Sequence, residues 1–240
     1  MKTLYITGYW PLVANPKNNL QYYSHQRLAT QKLLKDKDVF EYDVTTHRMS
    51  SLPGWHASEE YANHVKAAAT SCAQQKRDLG PDINYYEWFE GDKTPIHLYR
   101  DYMDSDYDTY RKMLAIWFSK VYLVSQMVDR YRYRYDQFAW VDASFARFNR
   151  NLEFDYDKDV IIHYPSKMRQ GIHHLKLNAS FMQGTAEAWD KVVDLYHYAL
   201  ITLAKDEYHA HDEETVLHNV ITHFSQYFDE VTNATPKILR

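Results

Sequence analysis

Apolar residues gather at the start of the chain in Lys2-Thr-Leu-Tyr-Ile-Thr7, and the run closes at Gly8, which predicts a buried first strand ending in a turn. Leu20–Lys35 carries Leu20, Tyr23, Leu28, Leu33 and Leu34 at a loosely helical period, and Val39-Phe-Glu-Tyr-Asp-Val44 alternates as a second strand. Strand, helix, strand in that order predicts parallel pairing. A Pro-Gly break within Ser51–Trp55 precedes a helix expected to be capped by Ser58. Glu59 and Glu60 lie in its first turn, Lys76 and Arg77 in its last, and Gly80-Pro81 stops it, a polarity that suits the helix macrodipole. Residues 82–107 are aromatic, acidic and broken by Gly91 and Pro95, and are expected to form a flap or an excursion from the sheet. Asp108–Asp129 reads as a strong helix with Met113, Leu114, Trp117, Val121, Leu123, Val124 and Val128 on a broad apolar face. Strands are predicted at Phe138–Val141, Val160–His163 and Leu175–Phe181, helices at Ala186–Leu203 and Asp212–Phe224, and a frayed tail over 226–240. Elements that alternate in this way predict one α/β domain over residues 1–240, with no repeat and no low-complexity linker.

Composition narrows the function classes. Twenty-two Tyr, ten Phe and six Trp make the chain 16% aromatic, more than a core needs, and exposed rings offer stacking faces for sugars or bases. A net charge of −4 argues against general nucleic-acid affinity, which rests on basic patches. The one basic run, Arg130-Tyr-Arg-Tyr-Arg134, reads as a solvated helix end, with phosphate or anionic-membrane contact as the alternative. A single cysteine, Cys72, excludes an internal disulfide and a cysteine-ligated zinc site. The N-terminus lacks signal-peptide architecture and no segment approaches the roughly 18 apolar residues of a membrane span, so a cytoplasmic protein is expected. His209-x-His211 and His173-His174 match no zinc pattern. Dehydrogenase, P-loop and α/β-hydrolase motifs are all missing from the chain.

Three segments carry a more specific signal. Phe138-Ala-Trp-Val141 is an apolar strand ending in Asp142-Ala-Ser144. Asn178-Ala-Ser-Phe-Met-Gln-Gly-Thr185 runs into a glycine turn with Thr185 as a helix cap. His211-Asp-Glu-Glu-Thr-Val-Leu-His-Asn219 places carboxylates at a helix start. In this order, over roughly residues 110–225, the motifs resemble nucleotide-sugar-dependent glycosyltransferases of the GT-A fold, nearest to the retaining family of the blood-group A/B and α-1,3-galactosyltransferases. The Trp-Val-Asp-Ala-Ser form is also similar to the bacterial HtrL/YibB family, which is associated with surface-polysaccharide clusters.

That resemblance implies a GT-A-like (Rossmann-like) mixed, mainly parallel sheet flanked by helices. It implies transfer of a sugar from a nucleotide-diphosphate donor to a glycan or lipid-linked acceptor. Asp142 is then the metal and donor ligand. Ser144, Tyr9, Met182, Gln183 and Gly184 would border the donor, and His211 and Trp189 the acceptor. Glu213 would be the carboxylate that faces the anomeric centre beside Asp212, with Glu214 rotated away by about 100°. Ser144 stands where the second Asp of an Asp-x-Asp motif would be, so Mn²⁺ or Mg²⁺ is expected to help without being indispensable. The alternative is a non-catalytic nucleotide-sugar-binding or partner-binding α/β protein of a polysaccharide locus.

Overall fold

The computed structural model describes residues 1–12, 20–79, 106–166, 169–170, 173–205, 212–233 and 235–236. Strands β1 (Thr3–Tyr9), β2 (Asp38–Asp43) and β3 (Gln137–Val141) come first, followed by β4 (Phe154–Asp155) and β5 (Ile161–Tyr164). The rest are β6 (Arg169–Gln170), β7 (His173–His174), β8 (Asn178–Gly184), β9 (Phe228–Glu230) and β10 (Thr235–Pro236). Helices are α1 (Leu20–Leu33), α2 (Trp55–Leu79), α3 (Tyr107–Tyr131), α4 (Ala186–Lys205) and α5 (Glu213–His223). The main sheet has the order β2-β1-β3-β8-β5-β9. β1 pairs parallel with β2 and β3, β8 runs antiparallel to both β3 and β5, and β9 is parallel to β5. The sheet is therefore mixed and mainly parallel, with β8 the reversed strand.

Period-two alternation sorts the strand side chains onto two faces. Leu4, Ile6, Phe138 and Trp140 join a core with Tyr61 and Val65 of α2, Phe118 and Val121 of α3, Trp189 of α4 and Leu217 of α5. Tyr5, Ala139 and Val141 point the other way, toward Leu34 just past α1, Phe145, Leu152 and Phe154. The connection from β1 to β2 therefore passes over one face through α1, and that from β2 to β3 over the other through α2 and α3. The chain reverses direction across the sheet between β1 and β3. Open α/β sheets bind ligands in the crevice at the strand C-termini of such a point.

Four boundaries differ from the sequence expectation, each for a local reason. α2 starts at Trp55, three residues before Ser58. The Ser58 hydroxyl donates back to the Trp55 carbonyl at 2.7 Å, so it is satisfied inside the helix instead of capping it. Asp106 and Tyr107 belong to α3: the Asp106 carboxylate accepts from Thr109 N at 2.7 Å as its N-cap. The rest of the predicted flap lies outside the described residues. Gly184 closes a seven-residue strand, opposite Phe138, and is not a free turn. A Cβ there would lie 2.6 Å from Ile161 Cδ1, so close packing between strands explains the glycine. The tail is not frayed where described. Phe228–Glu230 adds the outer strand beside β5, and Thr235–Pro236 pairs with β4.

The predicted strands at 160–163 and 175–181 correspond to β5 and β8, neighbours in the one sheet. Thr185 caps α4 through Ala188 N at 3.2 Å, as expected. Among the described residues, no helix is long and apolar enough to cross a membrane.

Candidate active site at the ends of β1 and β3

An open cleft lies at the C-terminal ends of β1 and β3. Gly8 to Leu12 form one wall, Trp140 and Asp142 to Ser144 another, and Met113, Ile116, Trp117 and Lys120 of α3 the third. These four α3 residues recur at helical spacing, so a single face of α3 lines the cleft. Its aromatic walls are fixed from behind. The Trp10 indole donates to the His47 carbonyl at 3.0 Å. Arg27 sits 4.5 Å over the Tyr9 ring while its guanidinium pairs with Glu41. Gly8 has to be small here, because a Cβ would come within 2.5 Å of the Trp10 ring.

The charged floor of the cleft is a three-residue cluster. Lys120 Nζ lies 2.7 Å from Asp142 Oδ1 and also pairs with Glu213 Oε1. Asp142 Oδ1 receives a second bond from the Trp140 indole at 2.7 Å. Asp142 N donates to the Ser180 carbonyl at 2.9 Å, which pins the start of this loop to β8. The start of α5 is drawn to the same place. Asp212 caps it through Thr215 N at 3.0 Å, and Glu214 Oε1 accepts from Ala179 N at 2.9 Å and Asn178 Nδ2 at 3.0 Å. Three distant segments thus converge on one ammonium, with the Asp212 cap and the hold of β8 on Glu214 fixing the start of α5 beside it.

Burial sets the protonation of this cluster. Burial alone would lower the Lys120 pKa, but the charges of Asp142 and Glu213 outweigh it and hold the ammonium above its ordinary range. Desolvation pushes Glu213 up to about 8, against the opposing pull of Lys120, and raises Glu214 as well. Lys120 stays charged through Asp142, and Glu213 is the group that takes up a proton near neutrality.

A stability signature follows from these shifts. The folded protein holds the Glu213 proton more tightly than the unfolded chain. That contribution is fully present below pH 4.5 and is lost as the pH rises through about 8. His163, whose burial holds its imidazole below the ordinary 6.5, acts with the opposite sign but only below that pH. The melting temperature is therefore expected to fall between pH 6.5 and about 8.5, and Glu213→Gln to make that limb shallower, with Glu214 carrying the remainder. Equal slopes in the two proteins would contradict the assignment.

The residues singled out from sequence fall into distinct groups. Asp142, Ser144 and Tyr9 line the cleft. Glu213 belongs to the cluster but does not line the cleft: it is buried with Lys120 between it and Asp142. Asp212 is occupied as the α5 cap. Met182, Gln183 and Gly184 are corrected. They sit in the middle of the sheet opposite Trp140, Ala139 and Phe138, receding from Asp142 because β8 runs antiparallel to β3. Gln183 is engaged with Gln137 and with the Phe154 carbonyl. Trp189 is corrected as well, since it is fully buried and donates its indole to the Phe138 carbonyl at 3.0 Å. His211 lies outside the described residues.

The principal omission of the sequence reading is Lys120. The available signal was a lone lysine inside the apolar face of the Asp108–Asp129 helix, seven residues after Met113. Its ammonium bears on the expected metal site. Asp142 Oδ1 already accepts from Lys120 and Trp140, and Ser144 adds only a neutral oxygen. No group of three His, Cys, Asp or Glu residues able to hold a metal occurs among the described residues. An ammonium already occupies the cationic position beside Asp142 Oδ1.

Comparison of the chain with protein-family models, with curated proteins and with solved structures finds no match. The class defined by the fold is an α/β protein with a mixed six-stranded sheet and, at the strand ends, a mainly apolar, aromatic-rich cleft that carries Lys120 and Asp142.

Proposed function

We propose that the chain is a nucleotide-sugar-dependent glycosyltransferase of the GT-A type, acting on a glycan or lipid-linked acceptor in surface-polysaccharide synthesis. The observation that carries this reading is a convergence. The end of the Trp-Val-Asp-Ala-Ser strand and the start of the Asp212–Glu214 helix meet at one charged cluster, on the floor of a cleft at the sheet's reversal point. A donor of this kind has a flat base, a sugar ring and an anionic diphosphate. Tyr9 and Trp117, the half-buried rings of the lining, supply stacking faces, and Lys120 and Asp142 supply charge.

In the reaction the anomeric C–O bond to the diphosphate breaks, the bond to the acceptor oxygen forms, and the acceptor proton passes to the departing diphosphate. Asp142 is the candidate contact to donor hydroxyls. Glu213 acts through Lys120 and is a positioning residue. A second reading, binding without turnover, is favoured by the burial of Glu213 and by Ser144 in place of an acid.

Calorimetry against UDP, GDP, CMP and dTDP sugars, followed by an assay of nucleotide release with water or a glycan mixture as acceptor, separates the two. Binding of one donor class with nucleotide release is the expected result. Binding and thermal stabilisation without release would favour the non-catalytic reading, and no binding of any donor would remove both.

A further inference from the structure

We propose that Lys120 is the cleft's own cation, paired with Asp142 to receive a phosphorylated sugar directly, with no divalent metal between protein and phosphate. The inference rests on the donor-binding reading above and deepens it. An ammonium has three N–H donors. One goes to Asp142 Oδ1 and one to Glu213 Oε1, and the third has no acceptor among the described residues. The side chain is only 6% exposed yet lines the cleft. Its charge is therefore shielded from bulk water where a ligand would meet it, and charge-assisted bonds are strongest in such surroundings.

Asp142 offers the complement. Both of its bonds fall on Oδ1, which leaves Oδ2 without a partner among the described residues, on a side chain 18% exposed at the same cleft. A free N–H donor on an ammonium beside a free carboxylate oxygen calls for a particular ligand. It should carry an anionic oxygen and a hydroxyl close together, as a sugar bearing phosphate at its anomeric carbon does. A simple anion would gain from Lys120 but meet repulsion from Asp142, so sugar phosphates should be preferred over inorganic ones. Glu213 holds the ammonium from behind, and its second oxygen is buried with no hydrogen-bond partner among the described residues, which ties its role to Lys120.

The test is calorimetry of the full chain with glucose 1-phosphate, inorganic pyrophosphate and UDP-glucose, each in excess EDTA and in excess Mg²⁺. The expected result is glucose 1-phosphate affinity that agrees within about threefold between EDTA and Mg²⁺, stronger than that for pyrophosphate. Lys120→Met combined with Glu213→Gln, which removes the ammonium without leaving Glu213 charged, should weaken it by about tenfold or more. The comparison of EDTA with Mg²⁺ uses the unmodified protein and stands even if that variant does not fold.

Loss of glucose 1-phosphate binding in EDTA with recovery in Mg²⁺ would overturn the inference while leaving a glycosyltransferase intact. Unchanged affinity in the folded double variant, or no glucose 1-phosphate binding in either buffer, would also overturn it. Lys120-dependent binding of glucose 1-phosphate without any binding of UDP-glucose or of the other nucleotide sugars supports the inference and removes the donor reading instead.

Discussion

Lys120→Met is expected to destabilise the protein by about 3–5 kcal/mol, the range seen when one partner of a buried ion pair is removed. At roughly 2–4 °C per kcal/mol for a chain of this size, the melting temperature should drop by on the order of 10 °C. The cause is specific. Without the ammonium, Asp142 loses its counter-charge, and Glu213 is left 3% exposed with neither oxygen bonded to a cation. Glu213 can escape by staying protonated, so the deficit should grow as the pH rises past 8 and shrink near pH 6. Adding Glu213→Gln should recover part of the loss, and the coupling in this double-mutant cycle measures the interaction itself. Thermal melts of the four proteins at both pH values check the expectation. Additive losses with no pH dependence would mean that Lys120 and Glu213 do not act as a coupled pair.

Asp142→Asn is expected to lower donor turnover or affinity by at least about tenfold, which is about 1.4 kcal/mol. The substitution keeps the shape of the side chain and an acceptor for the Trp140 indole. It removes the charge that holds Lys120 and turns one carboxylate oxygen into a donor. Because the changed group faces the cleft, the effect should fall on both KM and kcat. A Glu213→Gln protein, altered behind Lys120, should lose turnover while donor binding persists. If Asp142→Asn leaves nucleotide-sugar binding and turnover unchanged, Asp142 is not part of the site.

Much of the fold was legible because its signals are local. The alternation in Val39–Val44, the apolar face of the Asp108–Asp129 helix and the Thr185 cap each depend on neighbours within a few residues. β9 could not be read that way. Phe228-Asp-Glu230 has one apolar residue in three, and it becomes a strand because β5 offers an unpaired edge. The same limit explains the site. Asp142 and the carboxylates at 212–214 carry short-range marks, a strand end and a helix start. That Asp142 and Glu213 share one lysine is decided by packing of α3 and α5 against the sheet, over separations that no periodicity records. Met182–Gly184 show the opposite error. The glycine signalled a close approach correctly, but the approaching group is Ile161 of the next strand and not a ligand.

A nucleotide-sugar donor is expected to bind at the C-terminal ends of β1 and β3. A crystal structure of the protein soaked with the donor class that calorimetry selects tests it most directly. The expected density puts the diphosphate against Lys120 and a hydroxyl against Asp142, with the base or sugar ring stacked on Tyr9 or Trp117. Donor density anywhere else on the protein, with this cleft filled only by solvent, would contradict the account.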